Sequence, residues 1–388
     1  MASNRARGGR DPKFGAAEVE ARRARLYGAW ERYLLREARR AYDGRAWAWP
    51  YDLHSVEAYE RSIEGPRRRW LEVLGGWPDE RVPLAPRFEQ LSNQEQTGGR
   101  YRLQRVWFTA LEGVEVDALL LTPAAPAAGP RPAVLAQHGL NGTPEEVAGV
   151  IPADVDSPYR RLGIRLVERG YVVLAPHMVG GFGTSEFGAS HVPALAGKVQ
   201  GRARTQLHRI ALEYGRTLMG LEMFVLSRAV DLLRSLPGVD PQRIGMYGLS
   251  QGGQSALYFP ALDTRVAATV VSGYFNERFG KQLIPSERYT AYIGTEEEDK
   301  FLMGRLAFCG DPELASLICP RPLFVEHGRR DRIGWWEYVR DEFGRVRALY
   351  ERLGIGERAG LGLHDGGHIA CGDEAQPFLD RWLRPGPG

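Results

Sequence analysis

The sequence predicts an α/β fold: a mostly parallel sheet with helices on both faces. Three observations predict it. From about residue 100 onward, apolar runs of strand length alternate with helix-length segments of 3.6-residue period, the pattern of βαβ units. The runs at 133–137, 171–175 and 266–271 are apolar but for Gln137 and Thr269, as expected of strands covered on both sides. Between one such run and a small-residue segment stands Gly248-Leu249-Ser250-Gln251-Gly252, a G-x-S-x-G at a strand-to-helix junction.

Taken in order, residues 17–41 read as a helix, with Val19, Leu26, Trp30, Tyr33, Leu34 and Tyr42 near a 3.6 period among Arg and Glu. Up to about Pro86 the chain stays helical, rich in tryptophan (Trp30, Trp47, Trp49, Trp70, Trp77) and broken by prolines. So short and interrupted a stretch has too small a core to stand alone, and residues 1–95 are expected to pack on the α/β core as a helical extension. Residues 96–388 form the α/β domain. Segments 100–110 and 114–121 make an antiparallel pair around Glu112-Gly113, and 122–132 is a Pro/Ala loop. Strand 133–137 ends at His138-Gly139. A helix at 159–169 leads to the strand at 171–175. A long helix at 215–236 stops at Pro237-Gly238. The strand before Ser250 comes next, with further strands at 266–271 and 322–326. A helix at 335–353, a short strand near 361–363 and a helix at 376–383 complete the chain. Between 272 and 318 the alternation lapses, and this insertion is placed to be a lid over the strand ends.

Composition narrows the function classes. The 51 basic and 48 acidic residues leave a net charge of +3, which does not point to nucleic acid. The Arg-rich first 45 residues read as a solvated helix surface. No apolar stretch approaches the ~20 residues that span a bilayer, and no apolar segment succeeds the basic first residues, so a cytoplasmic location is expected. Cys309, Cys319 and Cys371 form no C-x-x-C pair and read as small buried hydrophobes in a reducing compartment.

The chemistry centres on Ser250. A serine on so sharp a turn presents its hydroxyl above the sheet, and Gly248 and Gly252 leave room for strand and helix to close on each other. A nucleophilic serine needs a base, and the base an orienting acid, in the chain order Ser, Asp or Glu, His. Asp331 comes after a strand through His327-Gly328-Arg329-Arg330, and His368 stands in Asp365-Gly366-Gly367-His368 after the last strand. Both lie at strand C-terminal ends, the edge that carries Ser250. His364 is a second candidate base, and Glu326 and Asp365 are rival acids. The glycines around His364, Asp365 and His368 deny them the helix that would align metal ligands, so no metal is expected. The oxyanion donors are assigned to the backbone N–H groups of Gln251 and Leu140, the latter in His138-Gly139-Leu140-Asn141-Gly142. His138 reads as structural, its ring bonded to backbone. His177 and Phe182, in a Gly-rich loop after a strand, are candidate substrate contacts. Tyr274, with Phe275, Tyr289 and Tyr292, forms either an aromatic pocket wall or the core of the insertion. Glu296-Glu297-Glu298-Asp299 reads as a solvated acidic turn.

These residues resemble the α/β-hydrolase superfamily, in particular its dienelactone-hydrolase-like and acetyl-xylan-esterase-like bacterial branch, over residues 101–383. The carriers are His138 to Gly142, the run Val239-Asp240-Pro241-Gln242-Arg243-Ile244-Gly245 into the Ser250 turn, Cys319-Pro320-Arg321-Pro322-Leu323, Gly328 to Asp331 and Gly366-Gly367-His368. The resemblance implies an eight-stranded, mostly parallel sheet, a Ser250-His368-Asp331 triad and no cofactor. Ser250-Gln251-Gly252-Gly253 is similar to the corresponding turn of acetyl xylan and cephalosporin C deacetylases, whose Arg-Gly-Gln segment and His-Glu pair have no clear counterpart here. The helical N-terminal region is similar to that of C–C bond hydrolases acting on pseudooxynicotine-like ketones. The expectation is thus a carboxylic ester hydrolase working on a small-molecule ester through an acyl-enzyme. The alternatives are C–C bond or amide cleavage by the same triad and, in a different class, a non-catalytic binding protein on this fold. No nucleic acid or membrane partner is expected, and an aromatic face on the extension is a candidate homodimer contact.

Overall fold

A computed structural model describes residues 15–79, 81–91, 98–150, 157–180 and 203–384 of the chain. Among them one sheet is built from β1 (Arg87–Gln90), β2 (Tyr101–Leu111), β3 (Val114–Pro123), β4 (Arg131–Gln137), β5 (Val172–Pro176), β6 (Val239–Leu249), β7 (Val266–Ser272), β8 (Leu323–Gly328) and β9 (Ala359–His364). Their spatial order is β1-β2-β3-β5-β4-β6-β7-β8-β9. From β5 through β4 to β9 every pairing is parallel, while β1–β2, β2–β3 and β3–β5 are antiparallel. The sheet therefore has nine strands, not the expected eight. The addition is β1, a four-residue edge strand paired with Gln104 to Trp107 of β2 and exposed at every position. Lying off the core, it carries no burial alternation for a sequence pattern to reveal.

The central strands are mostly apolar because each face meets its own core. Ala133 and Leu135 of β4 and Ile244 and Met246 of β6 point into one core; Val134 and Ala136, with Tyr247 and Leu249, point into the other. Side chains alternate between faces with period 2. Each large apolar side chain so covered contributes about 1.5–3 kcal/mol.

The helices in chain order are α1 (Ala16–Asp43), α2 (Val56–Ser62), α3 (Glu64–Val73), α4 (Pro144–Ala148), α5 (Leu162–Glu168), α6 (Ala203–Leu212), α7 (Leu218–Ser235), α8 (Gln251–Tyr258), α9 (Arg278–Leu283), α10 (Arg305–Phe308), α11 (Asp311–Ile318), α12 (Trp336–Arg352) and α13 (Ala375–Leu383). Helix α7 opens where the Thr217 side chain accepts the Gly220 N–H at 2.9 Å and ends just before Pro237-Gly238. It covers the first core with Met223, Leu226 and Val230, while α5 and α13 cover the second with Leu162, Leu166, Leu379 and Leu383.

Trp49, Tyr59, Ile63 and Trp70 of the N-terminal region belong to the first core. The Tyr59 hydroxyl donates to the Ser316 carbonyl at 2.6 Å, and Trp49 Nε1 to that of Phe308 at 2.7 Å. Helix α1 differs. Its apolar period makes a helix, but only Tyr42 of that helix is buried.

Candidate active site

The parallel strands deliver their C-terminal ends to one edge, and the site is assembled from the residues just beyond those ends. Ser250 succeeds β6 with φ 63° and ψ −120°, a conformation that ordinary residues avoid. Helix α8 begins at the next residue. A Cβ on Gly248 would collide with the Gly252 carbonyl, and one on Gly252 with that of Gln137, so only glycine fits either place. The turn is held by the Ser250 N–H, which donates to the Ser272 carbonyl at 3.0 Å, and by the Ser250 carbonyl, which accepts from Gln254 at 2.8 Å.

Beyond β8, Asp331 is buried and its Oδ2 accepts from His368 Nδ1 at 2.7 Å. Its Oδ1 accepts the Ile333 N–H at 2.8 Å. Burial alone would raise the Asp331 carboxyl, but the hydrogen bond and charge of His368, then His327 and the Ile333 N–H, outweigh it and hold the group below the usual carboxylate range. A carboxylate accepting from Nδ1 orients the ring and turns Nε2 away from it. That Nε2 is buried with no hydrogen-bond partner among the described residues. The ring lies beside the end of β7: a Cβ on Gly273 would stand 2.9 Å from His368 Cε1. Ser250, at the end of neighbouring β6, is thus tied through its N–H to Ser272, the last residue of the strand whose end the imidazole abuts.

The rivals are sorted by their partners. His364 closes β9, its Nδ1 accepting the Gly366 N–H at 3.1 Å. Asp365 is exposed and faces Arg329 at 3.5 Å. Glu326 is buried within β8. Its Oε1 accepts the hydroxyls of Tyr247 at 2.6 Å and Ser272 at 2.8 Å, and its Oε2 accepts the Gly372 N–H at 2.7 Å. It braces β6, β7 and the segment after His368 rather than facing the imidazole.

The loop after β4 lies against Ser250, since a Cβ on Gly139 would stand 3.1 Å from Ser250 Cβ. The Gly139 N–H donates to the Tyr159 hydroxyl at 2.8 Å, and the Gly142 N–H to the Gly139 carbonyl at 3.0 Å. The Leu140 N–H stands between these two committed donors. Gln251 opens α8, where the first N–H groups of a helix have no intrahelical acceptor. His138 is structural: Nδ1 donates to the Gly139 carbonyl at 2.8 Å and Nε2 accepts the Met178 N–H at 2.9 Å. Burial lowers its pKa to about 4.

The candidate substrate contacts separate. Phe182 lies outside the described residues. His177 is exposed, its ring 5.4 Å from that of His138. Tyr274 belongs to the core of the insertion, not to a pocket wall. It is buried, its hydroxyl pairs with that of Tyr258 at 2.8 Å, and the Arg278 guanidinium lies 4.5 Å from its ring centre. Phe275, Tyr289 and Tyr292 are buried as well.

Two buried groups have roles that the sequence pattern does not announce. The acidic turn is not wholly solvated, because Asp299 is 1% exposed. It accepts Arg204 Nη2 and Lys300 Nζ, each at 2.8 Å, and Arg204 also forks onto Glu222 at 2.6 and 2.8 Å. Burial opposes the Asp299 charge, but Lys300 and Arg204 hold its carboxyl well below the usual range. Lys300 Nζ donates in turn to Gln251 Oε1 at 3.0 Å, so this network fixes the side chain next to the nucleophile. The second group is Lys281 on α9, which donates to the carbonyls of Thr290 and, at 2.6 Å, Ile333. With the Thr290 N–H donating to the Arg332 carbonyl at 3.0 Å, the insertion grips the loop that carries Asp331. Neither role has a local signal, because the decisive partners are far away in sequence.

The sheet order, the turn at Ser250 and the strand-end loops define an α/β-hydrolase. Residues 116–306 match the dienelactone hydrolase family model, and over that stretch the chain is similar to dienelactone-hydrolase-like α/β-hydrolases. It is 25% identical to the YtaP protein of Bacillus subtilis (strain 168), named as a hydrolase, over 82% of this chain and 98% of that one. Among solved structures, it resembles a glucuronoyl esterase from Solibacter usitatus, with TM-score 0.58, 14% identity and coverage of 84% and 93% of the two chains. It also resembles acetyl xylan esterase 1 from Thermoanaerobacterium sp. JW/SL YS485, with TM-score 0.51, 18% identity and coverage of 82% and 94%. At these identities the solved structures speak for the fold.

Proposed function

We propose that the chain is a serine hydrolase that cleaves a carboxylic ester through an acyl-enzyme. The observation that carries this reading is the strained Ser250 after β6, hydrogen-bonded to the end of β7, which the ring of the Asp331–His368 pair abuts. His368 Nε2 takes the Ser250 proton as Oγ adds to the ester carbonyl carbon. The oxyanion is held by the N–H groups of Leu140 and Gln251, and loss of one such donor costs about 3 kcal/mol of transition-state stabilisation. The C–O bond then breaks and His368 returns the proton to the leaving alcohol. A water, deprotonated by the same nitrogen, adds to the acyl-enzyme, and collapse releases the acid and restores Ser250. Asp331 holds the tautomer and stabilises the imidazolium throughout. The names of the structural neighbours favour a small-molecule or carbohydrate ester as the substrate class.

Ser250→Ala tests the reading. It is expected to abolish turnover of short acyl esters and the mass increase produced by a fluorophosphonate probe. Wild-type turnover in that variant would overturn the assignment. A parallel panel of β-diketones and amides separates ester cleavage from C–C or amide cleavage by the same residues.

A further inference from the structure

Helix α1 has 28 residues and extends about 42 Å at 1.5 Å per residue. Among the described residues only its C-terminal part is docked, through Tyr42 and Arg39 against Phe279. From Ala16 to Leu34 no residue is buried. That stretch nonetheless carries a large apolar face: Leu26, Tyr27, Trp30, Tyr33 and Leu34 are 47–69% exposed. Their spacing puts them on one side of the helix, and Leu26, Trp30 and Tyr33 line a single groove with Ala29. Solvent does not reward such a face. A helix is marginal in water without a packed apolar side, and contiguous exposed apolar patches mark contact surfaces.

We propose that this face pairs with the same face of a second copy of the chain, the two α1 helices running antiparallel about a two-fold axis at Trp30. Charge placement selects both partner and direction. Arg23 lies seven residues before Trp30 and Glu37 seven after, so each falls two helical turns along the same line as the tryptophan. An antiparallel copy centred on Trp30 sets Arg23 against Glu37 at both ends. A parallel copy would set arginine on arginine and glutamate on glutamate. Within one chain, Arg23 faces Glu20 at 3.6 Å, and Glu37 faces Arg40 at 3.1 Å and Arg36 at 3.4 Å, all on the surface. A two-fold contact of identical patches is the commonest way a soluble chain self-associates. Aromatic side chains present about 150–250 Å² each. Three partly exposed aromatics and two leucines therefore supply on the order of 500 Å² per copy, and the pair reaches roughly the 1,000 Å² that a specific interface needs.

Sedimentation equilibrium of the full chain, 43.3 kDa as a single copy, reads the outcome directly. A reversible dimer is expected at tens of micromolar, with Trp30→Asp monomeric and ester turnover unchanged. Arg23→Glu and Glu37→Arg should each weaken the dimer, and the double variant should restore it, a recovery that helix stability alone does not produce. A chain that stays monomeric at about 100 µM overturns the proposal, as does a dimer that survives Trp30→Asp. A monomer in which Trp30 is shielded from a fluorescence quencher also overturns it, because the chain would then cover its own helix.

Discussion

Ser250 is held in a backbone conformation that costs on the order of 1–3 kcal/mol, and its neighbours make that conformation the only one available. Its proposed partners act by orientation, which a side-chain amide would spoil. In Asp331→Asn the amide can donate to Nδ1 and favour the wrong imidazole tautomer, so kcat is expected to fall roughly 10⁴-fold. Steady-state kinetics beside an unchanged circular dichroism spectrum would check it, and a loss below about tenfold would remove Asp331 from the mechanism. At this scale, legibility depends on whether a role is written in local order. Ser250, Asp331 and His368 can be proposed from sequence because the turn spacing and chain order are local or sequential. Glu326 reads as a rival acid in sequence because its task, joining Tyr247, Ser272 and Gly372, depends on residues 46 to 79 positions away. Asp299 reads as a surface group for the same reason, since its cation Arg204 is 95 residues distant.

At the scale of elements, the insertion between β7 and β8 supports the site from the side. Its aromatic residues face inward, and α9 and the Thr290 segment hold the carbonyls of Ile333 and Arg332 next to the acid. Lys281→Met would free the Thr290 and Ile333 carbonyls and let the Asp331 loop drift. A displacement approaching 1 Å costs on the order of 100-fold in rate, so kcat is expected to drop between about tenfold and that limit. Backbone amides at 330–334 should exchange faster by mass spectrometry, and unchanged exchange would sink the idea. The insertion can be bounded from sequence by where the alternation of strands and helices lapses. Its internal wiring cannot, because buried lysine contacts to carbonyls leave no pattern. The strand β1 escapes for the opposite reason: its four exposed residues have no apolar side to show.

Across the whole molecule, the parallel core is legible because strands buried on both faces read as mostly apolar runs. The antiparallel hairpin of β2 and β3 is legible from Glu112-Gly113. Trp49 and Trp70 enter the first core, whereas the stripe on α1 shows that helical periodicity announces an apolar face without saying what covers it. Stability should carry a particular pH signature. Burial raises the Glu342 carboxyl from 4.5 to about 7, Arg345 opposing and Glu277 and Glu313 adding to the rise. The folded chain therefore keeps a proton there that the unfolded chain releases. The stabilisation is complete below about 4.5 and is lost as pH rises through about 7. Glu342→Gln, which mimics the protonated form, is expected to be more stable than wild type at about pH 8 by on the order of 2 kcal/mol and equal to it near the unfolded value. Urea unfolding at the two pH values checks both halves.

The His138 ring, tied at both nitrogens to backbone and kept neutral by burial above about pH 4, has a consequence for anyone assaying the enzyme. Burial also depresses His327, the other imidazole beside Asp331. Burial thus biases two imidazoles beside the strand ends toward the neutral form, His138 down to about pH 4. In the neutral range a rate measured against pH is then free of His138, one of the overlapping titrations that usually blur histidine-rich clefts.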